Sequence, residues 1–252
     1  MKILLHVSFL GTNYCGYQIQ PNGVTIQQKL NEATRALFGF DCDIVGCSRT
    51  DSGVHANEFC AAVSRKGSSS LDTTIPPERI PLAIAQYLPR DIAVTRAEAV
   101  EDTFHPRYDV KYKEYVYRIW DHPHRNPFLF DRCWHYPKHL SEETVEQMDR
   151  AAKLFCGTWD FASYMAADSK ITDSVRTVYE AEVRRNGDVV EFRICADGFL
   201  YHMVRILTGT LIAVAEGKLK PEDIPSVTAS RDRRRAGITA PAEGLFLNRV
   251  VY

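Results

Sequence analysis

No apolar run in the sequence approaches the twenty or so uninterrupted residues of a membrane-spanning helix, so no such span is expected. The opening segment, Met1-Lys2-Ile3-Leu4-Leu5-His6-Val7, turns polar too soon for a signal peptide. It reads as a first strand, and a cytoplasmic protein is expected. Paired C-x-x-C spacings are absent too. Cys15, Cys42, Cys47, Cys60, Cys133, Cys156 and Cys195 form an odd, scattered set. An oxidised framework favours an even count in a smaller chain, and zinc favours paired spacings. The seven read as reduced, mostly buried thiols. Neither sign of charge is in excess: 31 Lys and Arg face 32 Asp and Glu, for a net charge of −1. That argues against a uniformly basic nucleic-acid binder, although binding depends on clustering rather than on the sum. Nor is there a phosphate-binding glycine loop or a low-complexity linker.

What is present is the balance of an ordinary globular protein: 252 residues, 45% hydrophobic and 25% charged. A strand over Lys2–Leu10 leads through a Gly/Asn turn to a helix over Ile26–Leu37, where Leu30, Ala33 and Leu37 recur at helical spacing. Thr25 with Gln28 suggests a capping box, and Gly39 stands where glycine closes helices. A short helix from Pro81 to Leu88 and a strand Ile92–Ala99 follow. The later part repeats the alternation. Strands are expected at Val110–Trp120 and Arg132–Tyr136, then a helix from an Ser141 N-cap to Phe155. A hairpin turns at Arg185-Asn186-Gly187-Asp188 between strands Arg176–Arg184 and Val189–Ala196. Helices at Phe199–Ala215 and Pro221–Ala229 and a strand Leu245–Tyr252 complete the chain. This pattern predicts an α+β fold: two half-domains, residues 1–104 and 105–252, around a largely antiparallel sheet flanked by helices. His122-Pro123-His124 is expected to be a turn, not a metal site.

Three segments carry candidate chemistry. Ser48-Arg49-Thr50-Asp51-Ser52-Gly53-Val54-His55-Ala56 is mostly polar yet lies between two apolar stretches. An acid framed by an arginine and a glycine can be held ionised on a tight turn. The plainer reading is a loop in which Asp51 caps its own turn. In Lys111-Tyr112-Lys113-Glu114-Tyr115-Val116-Tyr117, Lys111, Lys113, Tyr115 and Tyr117 would share one strand face. Such a face suits phosphate contacts and base stacking, or is simply solvated above a core. Arg205 is the sole formal charge between Asp197 and Glu216, inside a helix apolar around most of its circumference. A buried arginine there needs a carboxylate, and Asp51 is a candidate; snorkelling or a structural pair is the alternative.

Together these residues resemble one family, the TruA-type tRNA pseudouridine synthases. Ser48–Ala56 is similar to its G-R-T-D-A-G-V-H-A signature, Lys113-Glu114-Tyr115-Val116-Tyr117 to its K-x-Y-x-Y segment, and His202-Met203-Val204-Arg205 to H-M-V-R. Gly11-Thr12-Asn13-Tyr14-Cys15-Gly16-Tyr17-Gln18-Ile19-Gln20 resembles G-T-x-Y-x-G-W-Q-x-Q, and Arg235–Pro241 and Gly244–Leu247 also fit. The matches run in family order from Gly11 to Leu247, with Ser48, Ser52 and Tyr17 replacing the usual glycine, alanine and tryptophan.

The resemblance implies Asp51 as catalytic carboxylate, Arg205 as its partner and Tyr115 over the target base. It also implies that the two halves are ferredoxin-like, RRM-like and carry an active-site cleft between them, with uridines 38 to 40 of the tRNA anticodon arm as substrate, and a homodimer. Arg49, Lys111, Lys113, Arg231, Arg233, Arg234 and Arg235 are then expected on the RNA backbone. For Arg231–Arg235 an exposed basic loop is the alternative. The isomerisation needs neither metal nor small-molecule cofactor, and none is expected. Two rivals remain: a non-catalytic RNA-binding protein, and a nucleoside or glycoside hydrolase with a carboxylate pair.

Overall fold

The computed structural model describes residues 1–167, 169 and 171–252. The chain divides into two compact units, Met1–Lys111 with Leu247–Tyr252, and Tyr112–Phe246. The architecture is α+β, and the strand pairings are mostly antiparallel.

In the first unit β1 (Lys2–Phe9) lies between β3 (His55–Arg65) and β4 (Ile92–Val100), and β2 (Cys42–Gly46) pairs with β3. The register sets Ile3, Leu5 and Val7 opposite Val63, Ala61 and Phe59. All six are buried, as alternation on a covered sheet face requires. Helix α1 (Ile26–Phe38) adds Ile26, Leu30 and Ala33 to the core, and α2 (Ile80–Ile84) adds its two isoleucines. Thr25 caps α1 by accepting from the Gln28 N–H. The reciprocal half of a capping box is replaced, because the Gln28 amide donates to Glu32 instead. Gly39 closes α1 in the left-handed region. The helix expected over Pro81–Leu88 is only five residues of α-helix, Ile80–Ile84, flanked by 3-10 turns at Pro77–Arg79 and Ala85–Tyr87.

The end of the chain belongs to this unit. The Lys111 N–H donates to the Val251 carbonyl (2.8 Å) and its ammonium to the Tyr252 carbonyl (2.9 Å). The Tyr252 hydroxyl donates to the Pro106 carbonyl (2.9 Å), and its ring meets Phe104 edge-on at 4.9 Å.

In the second unit the strand order is β5 (Tyr112–Trp120), β9 (Val189–Ala196), β8 (Val175–Asn186), β7 (Gly157–Asp160). The two-residue β6 (Trp134–His135) adds to β5 in parallel, which is all that forms of the strand expected over Arg132–Tyr136. Strand β7 has no apolar alternation and was not expected. The β8–β9 hairpin is tighter than expected: Asn186 pairs with Val189, so only Gly187 and Asp188 form the turn. Helix α3 (Glu142–Lys153) starts at Ser141, whose hydroxyl accepts from the Thr144 N–H.

A buried ion pair fixes the approach to α3. Asp121 follows β5 and takes both guanidinium NH2 groups of Arg185, each at 2.9 Å. It also accepts the Leu140 N–H (2.8 Å), while Arg185 reaches Glu142 through Nε (2.9 Å). Burial alone would raise the Asp121 pKa, but the Arg185 and Leu140 bonds outweigh it and hold the carboxyl below its ordinary value.

Helix α4 (Met203–Ala215) is buried on nearly every face, as its charge-free sequence predicts. It begins four residues later than expected, because His202 adopts φ 61°, a left-handed conformation no residue within a helix takes. α5 (Ile224–Ser230) follows a 3-10 turn at Pro221–Asp223, and β10 (Leu245–Val251) ends the order. The segment after α5 lies directly on α4. A Cβ on Gly209 would sit 1.9 Å from the Ile238 carbonyl oxygen, and the Gly237 N–H donates to Thr210 Oγ1 at 2.9 Å. Gly209→Ala is therefore expected to destabilise by about 1–3 kcal/mol, as overpacking against backbone does. Thermal melting checks this; an unchanged melting temperature would mean the segment yields freely. Among the described residues, no helix is long and apolar enough to cross a membrane.

Candidate active site

The Asp51 loop joins β2 to β3, and the Gly11–Gln20 loop holds it in place. The Asp51 carbonyl accepts the Val54 N–H at 3.2 Å, closing a turn around Ser52 and Gly53. Tyr14 contributes its carbonyl to the Gly53 N–H (3.4 Å) and to the Ser52 hydroxyl (3.1 Å). The Tyr17 N–H donates to the Thr50 carbonyl, and the Gly11 N–H to His55 Nδ1 (2.9 Å). That last bond makes Nδ1 an acceptor, so the neutral ring carries its hydrogen on Nε2. Gly16 is irreplaceable twice over. Its φ is +76°, and a Cβ there would lie 2.4 Å from the Thr50 carbonyl oxygen. Tyr14 is itself tied to Asp91 by a 2.6 Å hydroxyl bond. The two N-terminal motifs are thus halves of one framework, whose product is a half-buried aspartate with a fixed main chain. Sequence reading treated them separately and missed the positioning parts of Gly11, Tyr14, Gly16 and His55. The fixed order of the two glycine-bearing motifs was the available signal.

Ser52, where the resembled family carries alanine, spends its hydroxyl on the Tyr14 carbonyl. Tyr17, in place of tryptophan, stacks on Phe59 at 4.3 Å and is 3% exposed. Its hydroxyl is buried without a hydrogen-bond partner among the described residues. Burial pushes that phenol far above its ordinary pKa, so it stays neutral. Tyr17→Phe is expected to stabilise the protein by about 1 kcal/mol by removing an unsatisfied buried hydroxyl. A chemical denaturation midpoint that fell would show that the hydroxyl is in fact bonded.

In the second unit, Tyr115 is buried on β5 opposite Ile194, its ring edge-on to Phe199 at 4.9 Å. Tyr117, two residues on, is a core residue whose hydroxyl donates to the Pro241 carbonyl (2.7 Å). Burial raises its pKa well above the ordinary value, and the nearby Arg205 charge pulls the other way. Arg205 projects from the first turns of α4 and donates through Nε to the Ala240 carbonyl (2.7 Å). The Ala240 N–H returns a bond to the Arg205 carbonyl (3.1 Å), so the Gly237–Pro241 segment aims this guanidinium.

The cations expected on RNA divide into groups. Arg49 is exposed. Lys111 precedes β5 and holds the chain's last two carbonyls, while Lys113 is buried on β5. Arg233 bonds the Gly237 carbonyl and Thr239, and Arg235 bonds Ser226. Arg231 pairs with Asp160 at 2.8 Å and Arg234 with Asp232 at 2.8 Å. Asp51 belongs to the first unit; Tyr115, Arg205 and the Arg231–Arg235 cluster belong to the second.

Comparison with known proteins bears on both units. The model of a family described as tRNA pseudouridine synthase matches residues 5–109 and 151–252. Asp51 and Arg205 fall within the matched segments, and Tyr115 lies between them. A protein named tRNA pseudouridine synthase A from Thermoanaerobacter sp. (strain X514) is 40% identical over 251 residues, covering 100% of this chain and 99% of its own. Proteins of the same name from Acetivibrio thermocellus (39% over 251 residues) and Bacillus pumilus (40% over 257) cover the same shares of both chains. Among solved structures, a chain from a Cbf5-Nop10-Gar1 complex aligns with 98% of this chain and 49% of its own, at 13% identity and a TM-score of 0.42. The chain belongs to the tRNA pseudouridine synthase family.

Proposed function

We propose that the protein isomerises uridines 38 to 40 in the anticodon stem-loop of tRNA, with Asp51 as the catalytic carboxylate. The observation that carries this reading is the Asp51 turn, pinned by the Gly11–Gln20 loop and lying inside a family-matched segment. In the reaction the C1′–N1 glycosidic bond breaks, the base turns, and C1′ bonds to C5. The C5 proton leaves and N1 gains one, so product and substrate are isomers and nothing is oxidised. Positive charge develops at C1′ as the first bond breaks, and a carboxylate meets it as in glycoside chemistry.

Arg205 supplies the positive charge that the reaction of the Asp51 carboxylate calls for, and the Ala240 carbonyl fixes its guanidinium. The Tyr115 ring covers the extruded uracil, and its hydroxyl assists removal of the C5 proton. Extruding the base costs roughly a few kcal/mol, which backbone contacts must offset. Of the expected cations, Arg49 is exposed and is best suited to phosphate. Arg231 and Arg234 are exposed as well, each already neutralised by an aspartate, and they contribute less. The active species is a homodimer in the cytoplasm.

The purified protein, without added metal or nucleotide, should release tritium from tRNA transcripts labelled at C5 of uridine. Carbodiimide primer extension should stop in the anticodon arm. Stops elsewhere would reassign the target while keeping the chemistry. Binding without release would leave an RNA-binding protein.

A further inference from the structure

One cluster in the first unit has no part in this chemistry. Register sets His6 of β1 directly opposite Cys60 of β3 and Arg96 of β4. Strand alternation then places Glu58, two residues before Cys60, and Glu98, two after Arg96, on the same face. His6 Nδ1 lies 2.8 Å from Glu58 Oε1 and 3.6 Å from Cys60 Sγ. One donor atom from each of His6, Glu58 and Cys60 lies within 4.8 Å of the others. The other ring nitrogen, Nε2, is 2.9 Å from Glu98 Oε1. Cys60 and His6 are buried, whereas the Glu58 and Glu98 side chains are 33% and 42% exposed. The cluster is thus a nitrogen and sulfur floor with a carboxylate mouth open to solvent.

We propose that His6, Glu58 and Cys60 bind one zinc ion, with Glu98 orienting the His6 ring from behind. An imidazole nitrogen, a thiolate and a carboxylate oxygen form the mixed, borderline-soft donor set that zinc takes. Zinc bonds of about 2.0–2.3 Å in a tetrahedron separate ligand atoms by about 3.3–3.7 Å. The Nδ1 to Sγ distance of 3.6 Å already fits. The 2.8 Å Nδ1 to Oε1 contact is a hydrogen bond that widens as the ion takes the place of its hydrogen. A carboxylate on the far ring nitrogen is the arrangement that fixes the tautomer of ligating histidines. The fourth position is left to water.

The charges balance. Arg96 lies 2.8 Å from His6 Nε2 and 3.0 Å from Glu98, and the Tyr252 hydroxyl stands beside Cys60. With zinc bound, Glu58, Glu98 and the Cys60 thiolate carry three negative charges against three positive ones on zinc and Arg96. Before binding, burial pushes the Cys60 thiol far above its ordinary pKa, so zinc must displace its proton. That proton leaves to solvent, and the imidazole keeps one hydrogen, on Nε2 facing Glu98. The exposed Arg96 side chain then retains only its Glu98 contact. The ion staples β1 to β3 and has no place in the isomerisation.

Titrating the purified full chain with cobalt, as a probe for zinc, should give one equivalent of sulfur-to-metal charge-transfer absorption. Cys60→Ser should abolish it. Zinc should raise the melting temperature of the wild type and leave Cys60→Ser unmoved, and Glu98→Gln should weaken zinc binding by about 10–100-fold. If Cys60→Ser does not fold, His6→Gln is read in the same way, through loss of the melting shift. Absence of the band and the shift in the wild type overturns the proposal. So does a band that survives Cys60→Ser, which would place the metal on another thiol. None of these readouts depends on uridine turnover, so they stand or fall apart from the proposed function.

Discussion

Asp51→Asn is expected to lower tritium release from C5-labelled tRNA by about 10⁴-fold or more, the scale seen when a central catalytic carboxylate is removed. Asparagine keeps the size of the side chain and the main-chain carbonyl that receives the Val54 N–H, so the turn persists. Thermal stability should move by no more than about 1 kcal/mol, and tRNA affinity should survive. Loss of turnover with folding and binding retained separates a chemical role from a structural one. Residual turnover within tenfold of wild type would exclude Asp51 as the catalytic group. Arg205→Lys should give an intermediate loss, because lysine keeps the charge but cannot reproduce the Nε–H bond to Ala240 while pointing a guanidinium.

The second large effect lies away from the chemistry. Arg185→Met leaves the Asp121 carboxylate, 2% exposed, without its bidentate partner. The expected cost is about 3 kcal/mol at neutral pH, the lower end of the penalty for breaking a buried pair, because the Leu140 N–H and His139 Nδ1 (3.1 Å) still reach the carboxylate. Asp121→Leu combined with Arg185→Met should recover much of that loss, since the pair itself contributes less than its breakage costs. The pH dependence follows from the direction of the shift. A carboxyl held below its ordinary 3.8 contributes stability that is fully present above that value and is lost as pH falls through its lowered folded pKa. The penalty of Arg185→Met, measured by urea denaturation, should therefore shrink as pH drops below 3.8 and the wild type loses this contribution. A penalty constant from pH 7 to pH 3 would mean that Arg185 acts through packing alone.

Legibility in the sequence tracked the range of the interactions involved. Helix caps at Thr25, Gly39 and Ser141 were readable because each depends on residues three or four apart. The α+β class and the burial of α4 were readable from periodicity and from an absence of charge. The start of α4 was not, because nothing local announces that His202 will turn left-handed. Strand β7 was missed because Gly157-Thr158-Trp159-Asp160 has no buried face to impose a period of two. The lysines illustrate the same limit. Lys111 and Lys113 look equivalent in sequence, yet one ends on carbonyls of the chain's last strand and the other is buried. The Asp51 signature was legible as a motif, whereas its support by Gly11, Tyr14 and Gly16 required contacts some forty residues apart. More distant still are His6, Glu58 and Cys60, which only strand register brings together.

The return of Leu247–Tyr252 to the first unit bears on the order in which the protein is made. Lys111 awaits Val251 and Tyr252, and Pro106 awaits the Tyr252 hydroxyl. All of Tyr112–Phe246 must leave the ribosome before those partners exist. Domain-by-domain folding during synthesis, in which the N-terminal unit finishes first, is therefore closed to this chain. Its earliest residues spend most of translation with an unfinished sheet, and the ribosome completes the second unit before the first.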